Sequence, residues 1–264
     1  MKLGLGLRAK FQSARAEISY FIKNNFGRPN LYDLNSPERV GCTYHQPSDM
    51  CPTDRLMLYA IVRGLRPKLA LEIGSRWGGS ARIITNAMED NGIGLLFGLD
   101  PEVENFRVPQ RELHGRCILV RGYSPQDVPE VVKRLDGRLL DFVFIDAMHI
   151  HDAVRADFMG VLPYLGDGAH VLLHDTFHQG VDQAIREVLD DNPYLVDCGF
   201  ITRNAEVGFP VSYQGLRLVR KGAVNSESLI AECYERQNRT VPPFSEELWN
   251  YDEYYNRVKF PPNE

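Results

Sequence analysis

The chain has no Cys-x-x-Cys pair and only five cysteines, Cys42, Cys51, Cys117, Cys198 and Cys233, an odd number scattered over 264 residues. That pattern excludes a disulfide framework and predicts a protein of a reducing, cytoplasmic compartment. No apolar run approaches the roughly 18 residues of a membrane span. The N-terminus lacks the apolar stretch of a signal peptide. Positive charge is not in excess either: the formal net charge is −5, which argues against a general nucleic-acid binder. Internal repeats and low-complexity tracts are absent, and so is a Gly-x-Gly-x-x-Gly dinucleotide fingerprint.

What is present is an ordinary globular composition, 44% hydrophobic and 25% charged, enough to build a packed core. Short apolar runs predict strands at 69–73, 95–99, 117–121, 142–145, 170–173, 194–201 and 215–219. Continuous apolar runs of this kind suit strands covered on both faces of a mostly parallel sheet. Between them lie helical stripes, Ile150, Val154, Phe158, Val161, Leu162 and Leu165 in one, Val181, Ala184, Ile185 and Val188 in another. The alternation predicts a doubly wound α/β fold with a seven-stranded sheet. Only a short loop carrying Gly208-Phe209-Pro210 separates the last two strands, so they are expected to form a hairpin that makes one strand antiparallel. Residues 1–52 read as an appendage, an amphipathic basic-flanked helix (Phe11, Ala14, Ile18, Phe21, Ile22) followed by a loop, serving as a lid or a homo-oligomer contact. Residues 53–221 read as the core. Residues 222–264, with Trp249, Tyr251, Tyr254, Tyr255 and Phe260, read as an extension packed on that core, since disordered tails are poor in aromatics.

The stretch Leu71–Ser80, LEIGSRWGGS, carries the most information. A strand stops at Gly74, and Gly78-Gly79 opens a helix, a geometry that lets backbone N–H groups approach a ligand. Where a dinucleotide site needs room for pyrophosphate, this turn has a carboxylate, Glu72, two residues before the first glycine. An anionic side chain suits a cationic ligand, and S-adenosylmethionine carries an ammonium and a sulfonium with no phosphate. Trp77 in the same turn either packs beneath it or shapes an acceptor pocket with Arg76. Asp100, at the end of the second strand, either takes ribose hydroxyls or caps the segment beginning at Pro101. Ser124 either touches an adenine edge or caps the following helix, and the two are compatible.

Asp146, His149, His151, His174, Asp175 and His178 fall within 33 residues of a chain that has seven histidines. Asp146 and His174-Asp175 end neighbouring strands, so their side chains can converge. Two carboxylates with imidazole or water form a site for Mg²⁺, with Mn²⁺ or another softer ion better served by the imidazole. The plainer reading makes His174 and Asp175 strand-end caps and His151 a solvated helix residue.

With these residues in view, the chain resembles the class I S-adenosylmethionine-dependent O-methyltransferases, the catechol and caffeoyl-coenzyme A enzymes and their sugar and macrolide relatives, over 53–221. LEIGSRWGGSA is similar to that family's Leu-Glu-hydrophobic-Gly-x-x-x-Gly-x-Ser turn. The resemblance implies that Glu72, Gly74, Ser75, Gly78 and Ser80 surround the methionine part of the cofactor, with Asp100 at the ribose, Ser124 near adenine and Asp146 facing cofactor and metal. DFVFIDAMH resembles the family's metal-binding Asp followed by a catalytic Lys, here His149. LLHDTF resembles Leu-Leu-x-Asp-Asn, which implies Asp146 and Asp175 as metal ligands, and Thr176 in place of Asn opens a ligand role for His174. The implied activity is methyl transfer to a hydroxyl of a small molecule (a sugar, a polyketide or macrolide, or a phenol). His149 is the expected base, neutral near pH 7 at its ordinary pKa near 6.5, with Asp146 and His174 beside it. Two other readings remain: a member that binds cofactor without turnover, and a dinucleotide-dependent oxidoreductase, which Glu72 and the glycine spacing oppose.

Overall fold

The computed structural model describes residues 50–203 and 213–222. The N-terminal helix of the sequence reading, the Gly208-Phe209-Pro210 loop and the aromatic extension lie outside the described residues.

Seven strands form one sheet in the order β3-β2-β1-β4-β5-β7-β6. They are β1 (Leu69–Ile73), β2 (Leu95–Asp100), β3 (Cys117–Arg121), β4 (Leu140–Ile145), β5 (Leu165–Leu173), β6 (Leu195–Phe200) and β7 (Arg217–Lys221). The pairings from β3 through β5 are parallel. β7 runs antiparallel to both β5 and β6, the single reversed strand that the sequence predicts. Helices α1 (Pro52–Leu65), α2 (Gly79–Asn91), α3 (Val128–Val132), α4 (His151–Val161) and α5 (Gln179–Asp191) cover the sheet. Among the described residues no helix is long and apolar enough to cross a membrane.

The period-2 alternation of a strand divides the core into two. Leu69, Leu71 and Ile73 of β1 share one cluster with Val143 and Ile145 of β4, Val154 and Phe158 of α4, and Val181 and Ile185 of α5. Ala70 faces the other way, with Phe142 and Phe144 of β4, Leu58 and Val62 of α1, and Ile84 and Met88 of α2. Every residue of β1 is buried, which is why the strand reads as an unbroken apolar run. Glu72 is the exception within it, a charged side chain on the α1–α2 side.

Two elements depart from expectation. The helical stripe drawn from Ile150 to Leu165 overruns the helix at both ends. Ile150 is the exposed residue before α4, a 3₁₀ turn follows at Leu162–Tyr164, and Leu165 opens β5. Pro163 supplies the reason, having no N–H to continue an α-helix. The segment before β1, for which the sequence reading named no element, is helix α1. Pro52 sits in its first turn, and Leu58 and Val62 bury one face. Cys51 N donates to Gln214 Oε1 at 2.6 Å, tying the start of α1 to the chain entering β7.

Candidate functional site

The carboxyl ends of β2, β1, β4 and β5 are stitched together beyond the strands. Gly74 N donates to Leu99 O, Asp146 N to Ile73 O, and His174 N to Ile145 O, at 3.0, 3.0 and 3.1 Å. Gly74 has φ +90, and a Cβ there would lie 2.3 Å from Asp146 O. Only glycine lets the β1 turn close against the β4 turn. The sequence motif at Gly74 is thus also the joint between the two candidate ligand regions.

On the β1 side, Glu72 is fully buried. Ser75 Oγ donates to its Oε2 at 2.8 Å, and Oε1 is buried with no hydrogen-bond partner. Burial raises the Glu72 carboxyl to about 7, opposed by Ser80 and Ser75 and assisted by the negative charge of Asp146 and Asp100. Among the described residues no cationic side chain is paired with it, so this under-satisfied carboxyl could receive a cationic group. Asp100 takes two backbone donors, Arg76 N at 2.8 Å and Glu102 N at 2.7 Å. It therefore fixes both the glycine turn and its own loop, and each oxygen retains a further lone pair. Gly78, φ +90, precedes α2. A Cβ on it would meet the Phe106 ring at 2.5 Å, so the space over this glycine belongs to Phe106. Trp77, 38% exposed, lies against two guanidiniums, with Arg76 at 4.3 Å and Arg107 at 5.1 Å from its ring centre. It stands at the surface of the turn. Ser124, after β3, has its hydroxyl enclosed without a well-formed hydrogen bond.

On the β4–β5 side, four of the six clustered Asp and His residues converge. His149 Nε2 lies 2.7 Å from Asp175 Oδ2 and 3.6 Å from Asp146 Oδ1. His174 is buried. Its Nδ1 lies 3.1 Å from Asp146 Oδ1 and 3.4 Å from Asp175 Oδ2, and its Nε2 lies 3.1 Å from Asp54 Oδ2. An ionised carboxylate only accepts, so both His174 nitrogens carry protons. Burial lowers the His174 pKa, but Asp146 and the other two carboxylates outweigh it and hold it well above the usual histidine range. Burial would raise Asp146, yet His174 and His149 hold it well below the usual carboxylate range. Asp175 is lowered in the same way. His149 is raised to about 9 by Asp146 and Asp175, against the effect of burial. The expectation of a neutral imidazole near pH 7 therefore does not hold for the free site. Two carboxylates within reach keep its proton on.

Asp54 was not among the sequence candidates. It comes from the first turn of α1, is 1% exposed, and accepts Thr202 Oγ1 at 2.5 Å on its other oxygen. Thr202 Oγ1 in turn accepts Leu216 N at 2.8 Å. Pro52-Thr53-Asp54, a proline and an acid at a helix start ahead of Leu58 and Val62, was the available signal. His151 stands apart, against Asp152 and Glu187. His178 precedes α5 and accepts Gly180 N. Its ring packs edge-on to Tyr213, which also lies 6.4 Å from His149.

One ligand atom each from Asp146, His149 and Asp175 lies within 4.8 Å of the others. Of this set, His149 Nε2 and Asp175 Oδ1 are buried without a well-formed hydrogen bond, as is the hydroxyl of the next residue, Thr176. Such a set fits a small divalent cation. His174, read from the sequence as a ligand, has both nitrogens turned to carboxylates.

The matches to known proteins agree with this geometry. Residues 71–176 match the family model described as a methyltransferase domain. The structure is similar to the O-methyltransferase TomG from Streptomyces achromogenes, involved in tomaymycin synthesis and solved with S-adenosylmethionine. Their identity is 17%, the TM-score 0.54, and the match covers 78% of this chain and 96% of that one. It is similar also to a putative O-methyltransferase from Klebsiella pneumoniae, at 21% identity, TM-score 0.50 and coverage of 79% and 97%. The O-methyltransferase from Bacillus cereus in complex with S-adenosylhomocysteine matches at 17% identity, TM-score 0.50 and coverage of 78% and 97%. No curated protein matches the sequence. Over residues 71–176 the chain matches a methyltransferase domain, and its fold is that of the class I S-adenosylmethionine-dependent O-methyltransferases it is similar to.

Proposed function

We propose that this protein transfers a methyl group from S-adenosylmethionine to a hydroxyl of a small molecule. The observation that carries the reading is the joint at Gly74, which sets a buried, cation-seeking carboxyl against an Asp/His cluster at one sheet edge. The cofactor supplies an electrophilic methyl on sulfonium, and an acceptor oxygen takes it. Glu72, braced by Ser75 and Ser80, holds the ammonium end. Asp100 takes the ribose hydroxyls with the lone pairs its backbone donors leave free, and Ser124 lies toward adenine. Fixing both reactants at one edge supplies much of the acceleration.

His149 is the base in this reading. It accepts the hydroxyl proton only from its neutral form, which Asp146 and Asp175 disfavour below about pH 9. Asp146 and Asp175, with Thr176 Oγ1 as the neutral donor, would hold Mg²⁺ or Mn²⁺, whose charge lowers the pKa of a hydroxyl nearby. We assign His174 to bracing the two aspartates, with Asp54 behind it. The exposed apolar side chains of Met148 and Tyr213 flank His149 in sequence and in space. They favour an acceptor with an apolar or aromatic face, such as a phenol or polyketide, over a bare sugar.

Calorimetry with S-adenosylhomocysteine, with NAD as the control, followed by turnover on a panel of phenols, polyketides and sugars, tests the function. Binding of NAD in preference to S-adenosylhomocysteine would refute it. Cofactor binding with no methylated product across the panel would favour the non-catalytic reading.

A further inference from the structure

His178 is the last of the clustered histidines and has no part in the mechanism above. It stands at the start of α5, where its Nδ1 accepts Gly180 N at 3.3 Å. Capping a helix asks for one acceptor, which Ser, Thr, Asp or Asn ordinarily supplies. The imidazole brings a second polar atom that capping does not use. A ring nitrogen that accepts a backbone N–H carries no proton, so in the neutral ring the proton sits on Nε2. Among the described residues no atom accepts a hydrogen bond from Nε2, and Nε2 is not sealed from solvent.

The ring is held on the acceptor side of the site. His178 N donates to Asp175 O at 2.9 Å and Asp182 N to His178 O at 3.0 Å, which sets the turn from β5 into α5. Phe177 N donates to Tyr213 O at 3.1 Å, which brings Tyr213 against that turn. The Tyr213 ring lies 5.6 Å from the His178 ring, nearly perpendicular to it, and 6.4 Å from the His149 ring. The backbone makes the same approach. A Cβ on Gly180 would stand 3.6 Å from His178 Nδ1, 3.6 Å from His149 O and 3.1 Å from His151 N. The first turn of α5 is therefore packed on the backbone that carries His149. One exposed aromatic ring borders both histidines, the first set among Asp146 and Asp175, the second with a spare donor.

We propose that His178 is a specificity-determining residue of the acceptor site: its Nε2–H donates to a carbonyl oxygen that the acceptor carries across its ring from the hydroxyl to be methylated. The acceptor class is then a hydroxyaryl carbonyl compound, with its ring against Tyr213 and its hydroxyl at His149. A group that can only donate reads oxygen lone pairs. An analogue with a methylene in place of the carbonyl leaves that donor without its bond, a loss that a hydrogen-bonding site registers more strongly than a small change in apolar contact. This inference rests on the acceptor placement proposed above.

The test is NMR titration of the S-adenosylhomocysteine complex with 4-hydroxyacetophenone and with 4-ethylphenol, two phenols of similar size that differ in the carbonyl. The proteins are the wild type, His178→Asn and His178→Gln. Asn places its oxygen where Nδ1 lies and keeps the cap of α5, with no donor at the Nε2 position. Gln places its amide nitrogen near the Nε2 position, with no acceptor for Gly180 N. The ratio of dissociation constants, ethyl over carbonyl, should fall by about three- to tenfold in His178→Asn and by less than about twofold in His178→Gln, as for loss and retention of one hydrogen bond. Melting temperatures should order the other way, with His178→Gln below His178→Asn. If the ratio is intact in His178→Asn, His178 only caps α5 and the proposal is overturned. Equal losses in the two variants also overturn it, because the Nε2 donor is then not what reads the carbonyl. A wild type that binds S-adenosylhomocysteine but neither phenol overturns the proposed acceptor class. A wild type that binds no S-adenosylhomocysteine refutes the cofactor reading itself, and this inference with it.

Discussion

Glu72 and the pair Asp146–Asp175 are carboxylates at the same sheet edge, joined through Gly74, yet their proton affinities are displaced in opposite directions. Glu72 is buried with hydroxyls as its only neighbours of help, and its pKa rises to about 7. Asp146 is pulled down because His174 and His149 stand against it, and Asp175 likewise. Asp175 is nearly as buried as Glu72, so depth of burial alone does not separate the two regions; the presence of a resident cation does. The β4–β5 side has a balance of charge built in from Asp54 through His174 to His149. The β1 side leaves its charge to be matched by whatever binds there. The consequences for stability carry opposite signs. Glu72, with an ordinary unfolded value of about 4.3, disfavours the fold increasingly as pH rises from there through about 7. Asp146 and Asp175 contribute stability above their unfolded value of about 3.9, and that contribution is lost as pH falls below it.

The largest expected effect comes from breaking the charged side. His149→Ala should lower turnover by roughly 10²–10⁴-fold, the range for losing a general base, with S-adenosylhomocysteine affinity nearly unchanged by calorimetry. Equal losses in turnover and cofactor affinity would move His149 out of the acceptor site. Next is Asp54→Ala, which leaves His174 with an uncompensated buried charge at one nitrogen. Chemical denaturation should show a loss of about 3–5 kcal/mol, as when one partner of a buried pair is removed; a loss below about 1 kcal/mol would mean that the Asp54–His174 contact is incidental.

Removing metal sharpens the comparison further. In excess chelator the rate should climb with pH until about 9, as His149 loses its proton. Adding back Mg²⁺ or Mn²⁺ should move that rise to lower pH, because a cation at the two aspartates opposes a proton on the neighbouring imidazole. A profile indifferent to both chelator and metal would leave Asp146, Asp175 and His149 as a metal-free set. The smallest effect belongs to His151→Ala. Its contacts with Asp152 and Glu187 are at the surface, where ion pairs are worth about 0–1 kcal/mol, and turnover should stay within about twofold.

Much of the fold was legible because its strands are short apolar runs closed by glycine or acid, a pattern that survives without tertiary information. The glycine turn was legible for the same local reason. Helix α1 was harder, since Cys51 and Pro52 resemble loop chemistry and its stripe is short. Asp54 was missed because its meaning depends on His174, 120 residues away, and nothing local announces that pairing. The protonation of His149 was misjudged for a related reason. Its ordinary pKa is a property of one residue, whereas its state here is set by carboxylates closing two different strands. Gly78 shows the same limit: the motif marks the glycine, but Phe106, from another loop, is what lies over it.

The central claim is that the β1 carboxyl has no histidine set against it and waits for a ligand's ammonium, while His149 and His174 already stand against the β4–β5 carboxylates. Calorimetric titration of S-adenosylhomocysteine in two buffers of different ionisation heat counts the protons exchanged on binding. At about pH 6 Glu72 holds a proton that a bound ammonium must displace, so about one proton should be released per ligand. At about pH 8 the release should vanish, and Glu72→Gln should abolish it at both. Proton uptake, or binding without exchange at the lower pH in the wild type, would contradict the account.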